Sequence, residues 1–208
     1  MTEPAWPEVL QWIQAARNTV ELLPPDRDRR DEIRRVVGVS LESALGAIIQ
    51  ETGGILVDHG WLRILGSGSP AVPRFARPDR KWIVIADDVV GGVFALHPPA
   101  GEVSYLAPDS LDWEPLGTKY SAWFRWCLTE SLGGFYEAYR AGDWKARVRT
   151  LEPHQGFSIQ PPPWSKGDPY PARDWKPVPM TELVAMMLDL QQKLPREGDV
   201  QLRPDASR

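Results

Sequence analysis

Six carboxylates fall between residues 87 and 114 (Asp87, Asp88, Glu102, Asp109, Asp112 and Glu114), with no lysine or arginine among them. Residues 144–177 reverse the balance, setting Lys145, Arg147, Arg149, Lys166, Arg173 and Lys176 against Glu152, Asp168 and Asp174. An acidic stretch with an indole, Trp113, inside it suits contact with a basic partner. Charge steers the encounter, and the aromatic ring supplies anchoring area. An equally good reading has the acidic and basic stretches neutralising one another within the fold, where surface charge contributes little.

The side chains that usually carry catalysis are scattered. Cys127 is the single cysteine and sits at helical spacing beside Phe124 and Leu128, the setting of an inert, hydrophobe-like thiol. His59, His97 and His154 are far apart and each falls in a turn, whereas a metal site needs three or four converging ligands. Asp58-His59 is explained by turn chemistry. Asp87 and Asp88 close a strongly apolar strand. Adjacent strand residues point to opposite faces, so the two make a poor carboxylate dyad. Gly66-Ser-Gly-Ser69 lacks the lysine and Ser/Thr of a phosphate loop and runs into Pro70. No GxSxG, HExxH or EF-hand pattern occurs. The expectation is a protein without catalytic residues, metal or cofactor: not an enzyme.

The elements that must position these groups follow from composition and periodicity. A chain of 208 residues suits one sizeable domain burying roughly 70% of its unfolded surface without disulfide or metal. A net charge of −4 argues against direct nucleic-acid binding. The N-terminus carries neither the basic nor the apolar region of a secretory signal, and no apolar run approaches the ~20 residues of a membrane span. The expected location is the cytoplasm. Ten tryptophans and twenty-one prolines are the compositional oddities.

Helical spacing predicts a first helix over residues 7–22, stopped by Pro24-Pro25. The run Asp26–Arg35 sets five arginines against four acids and reads as a solvated linker or helix face. A second helix is expected from an N-cap at Ser40 to Gly53-Gly54. Strands 55–57 and 61–65 should form a hairpin about Asp58-His59-Gly60, followed by a proline-studded loop. Strands at 82–86, 93–96 and 102–106 make an antiparallel meander. Residues 120–140 return to helical spacing, with a break expected at Gly133-Gly134. Residues 141–179 read as an irregular Pro/Trp-rich wrap, and 180–194 as a last amphipathic helix before a polar, frayed tail. The fold class is α+β: an antiparallel meander flanked by helices. It divides into an N-terminal helix and linker (1–39), a core (40–165), and a C-terminal wrap, helix and tail (166–208), in one compact body.

Three runs carry a family resemblance: Ala86-Asp-Asp-Val-Val-Gly-Gly-Val-Phe-Ala-Leu96, Gly101-Glu-Val-Ser-Tyr-Leu-Ala-Pro-Asp109, and Trp113-Glu-Pro-Leu-Gly-Thr-Lys-Tyr-Ser-Ala-Trp-Phe-Arg-Trp126. Together with the helix ending in Gly53-Gly54 they resemble the SUKH superfamily. The 87–92 step and the Gln155–Trp164 segment look like a bacterial family of unknown function within or near it. The resemblance spans residues 40–165 and implies a small α+β binding domain. Its bacterial members are immunity proteins that neutralise toxins, often nucleases. The implied partner is a basic toxin, met by Asp87, Asp88, Glu102, Asp109, Asp112, Trp113 and Glu114. A small-molecule or peptide sensor with a pocket under the Pro/Trp-rich segment is the alternative.

Overall fold

Pro7 needs no backbone donor in the first helical turn and opens α1 (Trp6–Gln14), which buries Val9. The structure is a computed structural model that describes residues 4–79, 82–97 and 101–193. The expected first helix is cut short, because residues Val20–Leu23 form strand β1 instead. The Asn18 amide donates to the carbonyls of Cys127 (2.9 Å) and Thr129 (2.8 Å), drawing the chain off its helical path. Tertiary pairing outweighs local periodicity here. The arginine-rich run becomes the helix face the sequence suggests, in α2 (Arg30–Val37), which buries Ile33 and Val37. Helix α3 (Ala44–Glu51) starts later than expected. Its N-cap is Ser43, whose hydroxyl accepts from the Gly46 amide at 3.0 Å.

The hairpin of β2 (Gly54–Val57) and β3 (Leu62–Leu65) lies where expected and is buried throughout. Short β4 (Arg77–Asp79) lies beside β5 (Trp82–Asp88), and β6 (Val93–His97) and β7 (Glu102–Leu106) continue the meander. Strand β8 (Trp113–Lys119) was hidden by Pro115 and Gly117, which are tolerated because it is an edge strand. The sheet is antiparallel in the order β1-β2-β3-β5-β6-β7-β8, with β4 on β5.

One face of the sheet carries an aromatic core. Phe94 of β6 packs on Trp123 of α4 (Tyr120–Cys127) at 5.2 Å and on Phe135 of α5 (Ser131–Phe135) at 6.1 Å. The helical break falls at residues 128–130 rather than at Gly133-Gly134, which lie inside α5. The Pro/Trp-rich segment is less irregular than its composition suggests. It holds α6 (Trp144–Val148) and a hairpin of β9 (Gln155–Gln160) with β10 (Asp174–Pro179). The Phe157 amide donates to the Val89 carbonyl at 2.6 Å and fastens this hairpin to the end of β5. Helix α7 (Met180–Lys193) follows, with buried Leu183 against Gly91. Most tryptophans serve the core: Trp61 and Trp123 are fully buried, and only Trp164 is conspicuously exposed. The predicted tail lies outside the described residues.

Candidate functional site

The end of β5 sends two carboxylates to opposite sides of the sheet, as strand alternation requires. On one side Asp87 accepts two bonds from Arg74, from Nε and Nη2, both at 2.9 Å. Arg63 of β3 adds a third from Nη1 at 3.4 Å, and its Nη2 donates to the Gln155 carbonyl. The Arg63 and Asp87 side chains are 3% and 1% exposed. Burial pulls the Arg63 guanidinium below its ordinary range, Asp87 pushes it back up, and neighbouring Arg74 lowers it again. Two guanidiniums therefore share one carboxylate, and Nη1 of Arg74 is buried without a partner among the described residues.

On the other side Asp88 ties the β5–β6 turn to the aromatic core. It accepts from the backbone amides of Val90 (3.0 Å) and Gly92 (2.9 Å) and from the hydroxyls of Tyr105 (2.7 Å) and Tyr136 (3.0 Å). Burial raises its pKa above the ordinary carboxyl value, and the hydrogen bonds from Tyr105, Gly92, Tyr136 and Val90 oppose the shift. Both phenols are pushed well above theirs, first by burial and then by the neighbouring carboxylate.

These geometries correct the expected acidic face. Asp87 and Asp88 are 1% and 0% exposed and fully engaged, so neither has surface to offer a partner. They are drawn inward because buried Arg63, half-buried Arg74 and two buried tyrosines supply the donors that an ionisable group needs away from water. Glu102, Asp109, Asp112 and Glu114 remain exposed, on β7, β8 and the turn between them. Among the described residues none of the four forms an ion pair with the basic 144–177 segment. Glu102 stands opposite Lys119 on β8, Glu114 accepts from the Ser110 hydroxyl at 3.1 Å, and Asp109 lies close enough to Tyr170 to add to the rise that burial gives its phenol. Trp113 is half-buried, its ring stacked on Trp82 at 4.4 Å, so only part of it faces outward.

A second charged group escaped the sequence reading. Arg140 pairs with Asp58, and its guanidinium sits over the rings of Trp144 (4.2 Å), Trp61 (4.5 Å) and Tyr136 (5.1 Å). Asp58 and His59 both take left-handed backbone angles, φ 54° and 61°, in the β2–β3 turn. For Arg63 a signal was available, a lone charge inside the apolar run Leu62-Arg-Ile-Leu65. For Arg74 and Arg140 there was none, since each lies in a stretch that reads as ordinary surface.

Cys127 is fully buried, and its thiol is pushed well above its ordinary pKa by that burial, so it is no nucleophile at neutral pH. Among the described residues no three His, Cys, Asp or Glu side chains gather in a way that could hold a metal, and no helix is long and apolar enough to cross a membrane. At the start of the Pro/Trp-rich segment an open hollow of about 600 Å³ lies against Ala141, Trp144 and Lys145, whereas the space beneath its middle, against Trp164, Met186 and Met187, is only about 100 Å³. That falls short of the roughly 300 Å³ at which small-molecule pockets begin.

Comparison with known proteins places these features in a lineage. The model of the family described as protein of unknown function DUF2625 matches residues 1–183. The chain belongs to the DUF2625 family. It is 36% identical over 203 residues to YbfG, an uncharacterized protein of Escherichia coli K12, covering 91% of this chain and 93% of that one. An uncharacterized protein of Haemophilus influenzae Rd is 34% identical over 174 residues, 76% of each chain. No solved structure matches. The family match takes in α1, the whole sheet and the β9–β10 hairpin, so the Asp87 and Asp88 networks both lie within the matched region.

Proposed function

We propose that this DUF2625 protein is a protein-binding module of inhibitor type, an immunity-like protein that neutralises a basic, nuclease-like toxin in the cytoplasm by covering its active surface. The observation that carries the reading is the edge formed by β7, β8 and their turn. There Glu102, Asp109, Asp112 and Glu114 stay exposed without an ion pair to the basic segment, while Asp87, in the same acidic stretch, is consumed inside. Net negative charge at a sheet edge keeps other sheets away and at the same time steers a basic surface towards it. The half-exposed Trp113 stacked on Trp82 supplies a rigid aromatic platform beside those charges. The resemblance of residues 40–165 to the SUKH superfamily supports the same reading, although the family match itself carries no link to that superfamily. Sheet edge and turn would compete with the toxin's phosphate-bearing substrate for the same cations.

The test uses the full chain as bait in native lysates, in three forms: wild type, the triple reversal Asp109→Lys, Asp112→Lys and Glu114→Lys, and a control reversal, Glu182→Lys, on α7. The expected result is one stoichiometric basic protein held at low salt by wild type and control, released at high salt, and absent from the triple variant. Retention indifferent to the triple reversal overturns the assignment of this face. A wild-type bait that retains no basic protein under any growth condition overturns the function.

A further inference from the structure

The cluster of Arg63, Arg74 and Asp87 borders a walled space on the α7 side of the sheet. A cavity of about 320 Å³ opens between β3, β5, the loop 73–77 and the first turns of α7. Leu65, Pro73, Phe75, Val84, Val184 and Ala185 make its walls apolar. Arg74 and Asp87 supply its polar end, and exposed Arg77 and Thr181 stand at its rim. Its size falls within the range of small-molecule sites. None of its lining residues belongs to the β7–β8 edge.

The charges beside this space do not balance. Arg63 and Arg74 carry two positive charges against the single negative charge of Asp87, and Arg77 at the rim adds a third positive charge. Burial of an uncompensated cation is costly, and the mutual repulsion of the two guanidiniums is part of what lowers Arg63. Arg74 gives Nε and Nη2 to Asp87 and keeps Nη1 buried with no acceptor among the described residues. A buried donor without a partner is destabilising. One carboxylate arriving from the cavity supplies the missing negative charge and the missing acceptor together, in the planar geometry that guanidinium forks favour. The apolar walls then have to cover an apolar body. At the ~30 Å³ that a water occupies in the liquid, 320 Å³ holds about ten non-hydrogen atoms.

We propose that this cavity is a binding site for an amphiphilic monocarboxylate, its carboxylate on Arg74 and its apolar chain between Phe75 and α7. A phosphorylated sugar or a nucleotide does not fit the same description, since its several charges and hydroxyls would meet apolar walls. The site is independent of the protein-binding edge. It gives the fold a ligand whose occupancy would clamp α7 against the sheet, since Thr181, Val184 and Ala185 close the cavity from that helix.

Octanoate is the probe, with 1-octanol and octylamine as uncharged and cationic counterparts, measured by calorimetry and by thermal unfolding of the full chain. Octanoate is expected to bind and raise the melting temperature with concentration, as any ligand of the folded state does. The alcohol should be at least tenfold weaker and the amine should not bind. Arg74→Met should cost at least tenfold in octanoate affinity. Because that variant leaves Asp87 with Arg63 alone and can fail to fold, Ala185→Phe serves as the second. It obstructs the cavity from the exposed face of α7 without touching the charges, and it should abolish binding with the free protein's melting temperature unchanged. The variant with the reversed acidic edge should bind octanoate like wild type. Octanol binding as tightly as octanoate, octanoate affinity unmoved by Ala185→Phe, or no binding of octanoate at all, each overturns the proposal.

Discussion

Replacing Asp88 by alanine strands four donors at once. The amides of Val90 and Gly92 and the hydroxyls of Tyr105 and Tyr136 lie 2.7–3.0 Å from its oxygens, and all are sealed from water. Each buried donor left unpaired costs about 1–3 kcal/mol, partly recovered because the fold no longer has to desolvate a carboxylate. The expected net loss is about 4 kcal/mol, a large share of the 5–15 kcal/mol that holds a typical domain together. Asp88→Asn is the informative companion. Its carbonyl still accepts from the two amides and its NH₂ donates to the phenol oxygens, leaving only the two phenol protons without an acceptor, so the loss should be about half that of alanine, about 2 kcal/mol. The pH dependence has a definite sign. Burial lifts the Asp88 carboxyl above its ordinary 3.8, so its protonated form is favoured by folding. That contribution is complete below 3.8 and is lost as pH rises through the folded value. Asparagine does not titrate. The stability of wild type minus that of Asp88→Asn should therefore fall as pH climbs from below 3.8, then level off. Urea unfolding followed by tryptophan fluorescence across that range measures all three proteins. An alanine variant within 1 kcal/mol of wild type, an asparagine variant as damaged as alanine, or a gap that widens with pH would each refute this account of the network.

Two further outcomes test the packing around the same turn and the reading of the lone thiol. A Cβ at Gly92 would lie 2.1 Å from the Tyr105 hydroxyl oxygen and 2.3 Å from an Asp88 oxygen, so Gly92→Ala should destabilise by about 3 kcal/mol, the upper range for overpacking. A Cβ at helical Gly133 meets nothing within 4 Å, and Gly133→Ala should be neutral or stabilise by up to about 1 kcal/mol in the same urea titration. Cys127, buried and with its thiol pushed up, should react with a disulfide reagent at pH 8 only once denaturant opens the fold.

The meander was legible because its signals are local. Apolar runs of strand length, separated by glycine and proline, leave little choice at 82–88, 93–97 and 102–106, and the α+β class follows from them. What escaped depended on distant contacts. Residues 20–23 continue a helical pattern on paper, yet β2 offers an open row of backbone groups and Asn18 is held by carbonyls more than a hundred positions away. Strand β8 contains the two residue types that usually exclude a strand, and only its place at the sheet edge permits them. The break between α4 and α5 was assigned to the glycine pair, although Leu128–Glu130 turn the chain before it.

The charged stretch shows most clearly why sequence separates elements better than it separates roles. Six carboxylates in 28 residues (87 to 114) read as one acidic face, yet the sheet sorts them into three environments. Alternation alone predicts that Asp87 and Asp88 part company. Which partners each meets is decided by Arg63, Arg74, Tyr105 and Tyr136, which arrive from four other parts of the chain. An aspartate on a strand buried on both faces has to find such donors or remain neutral, so the depth of β5 in the sheet order argues against Asp87 and Asp88 as surface groups. The edge position of β8 argues the opposite for Glu114. Charge in the sequence thus becomes informative only once strand order is known: carboxylates on the central strand are tied into buried networks, and those on the edge strand and its turn stay exposed. By the same reasoning the two arginines beside Asp87 become legible only from the strand order: Arg63 reaches it from β3 and Arg74 from the loop before β4, and together they set two positive charges against one.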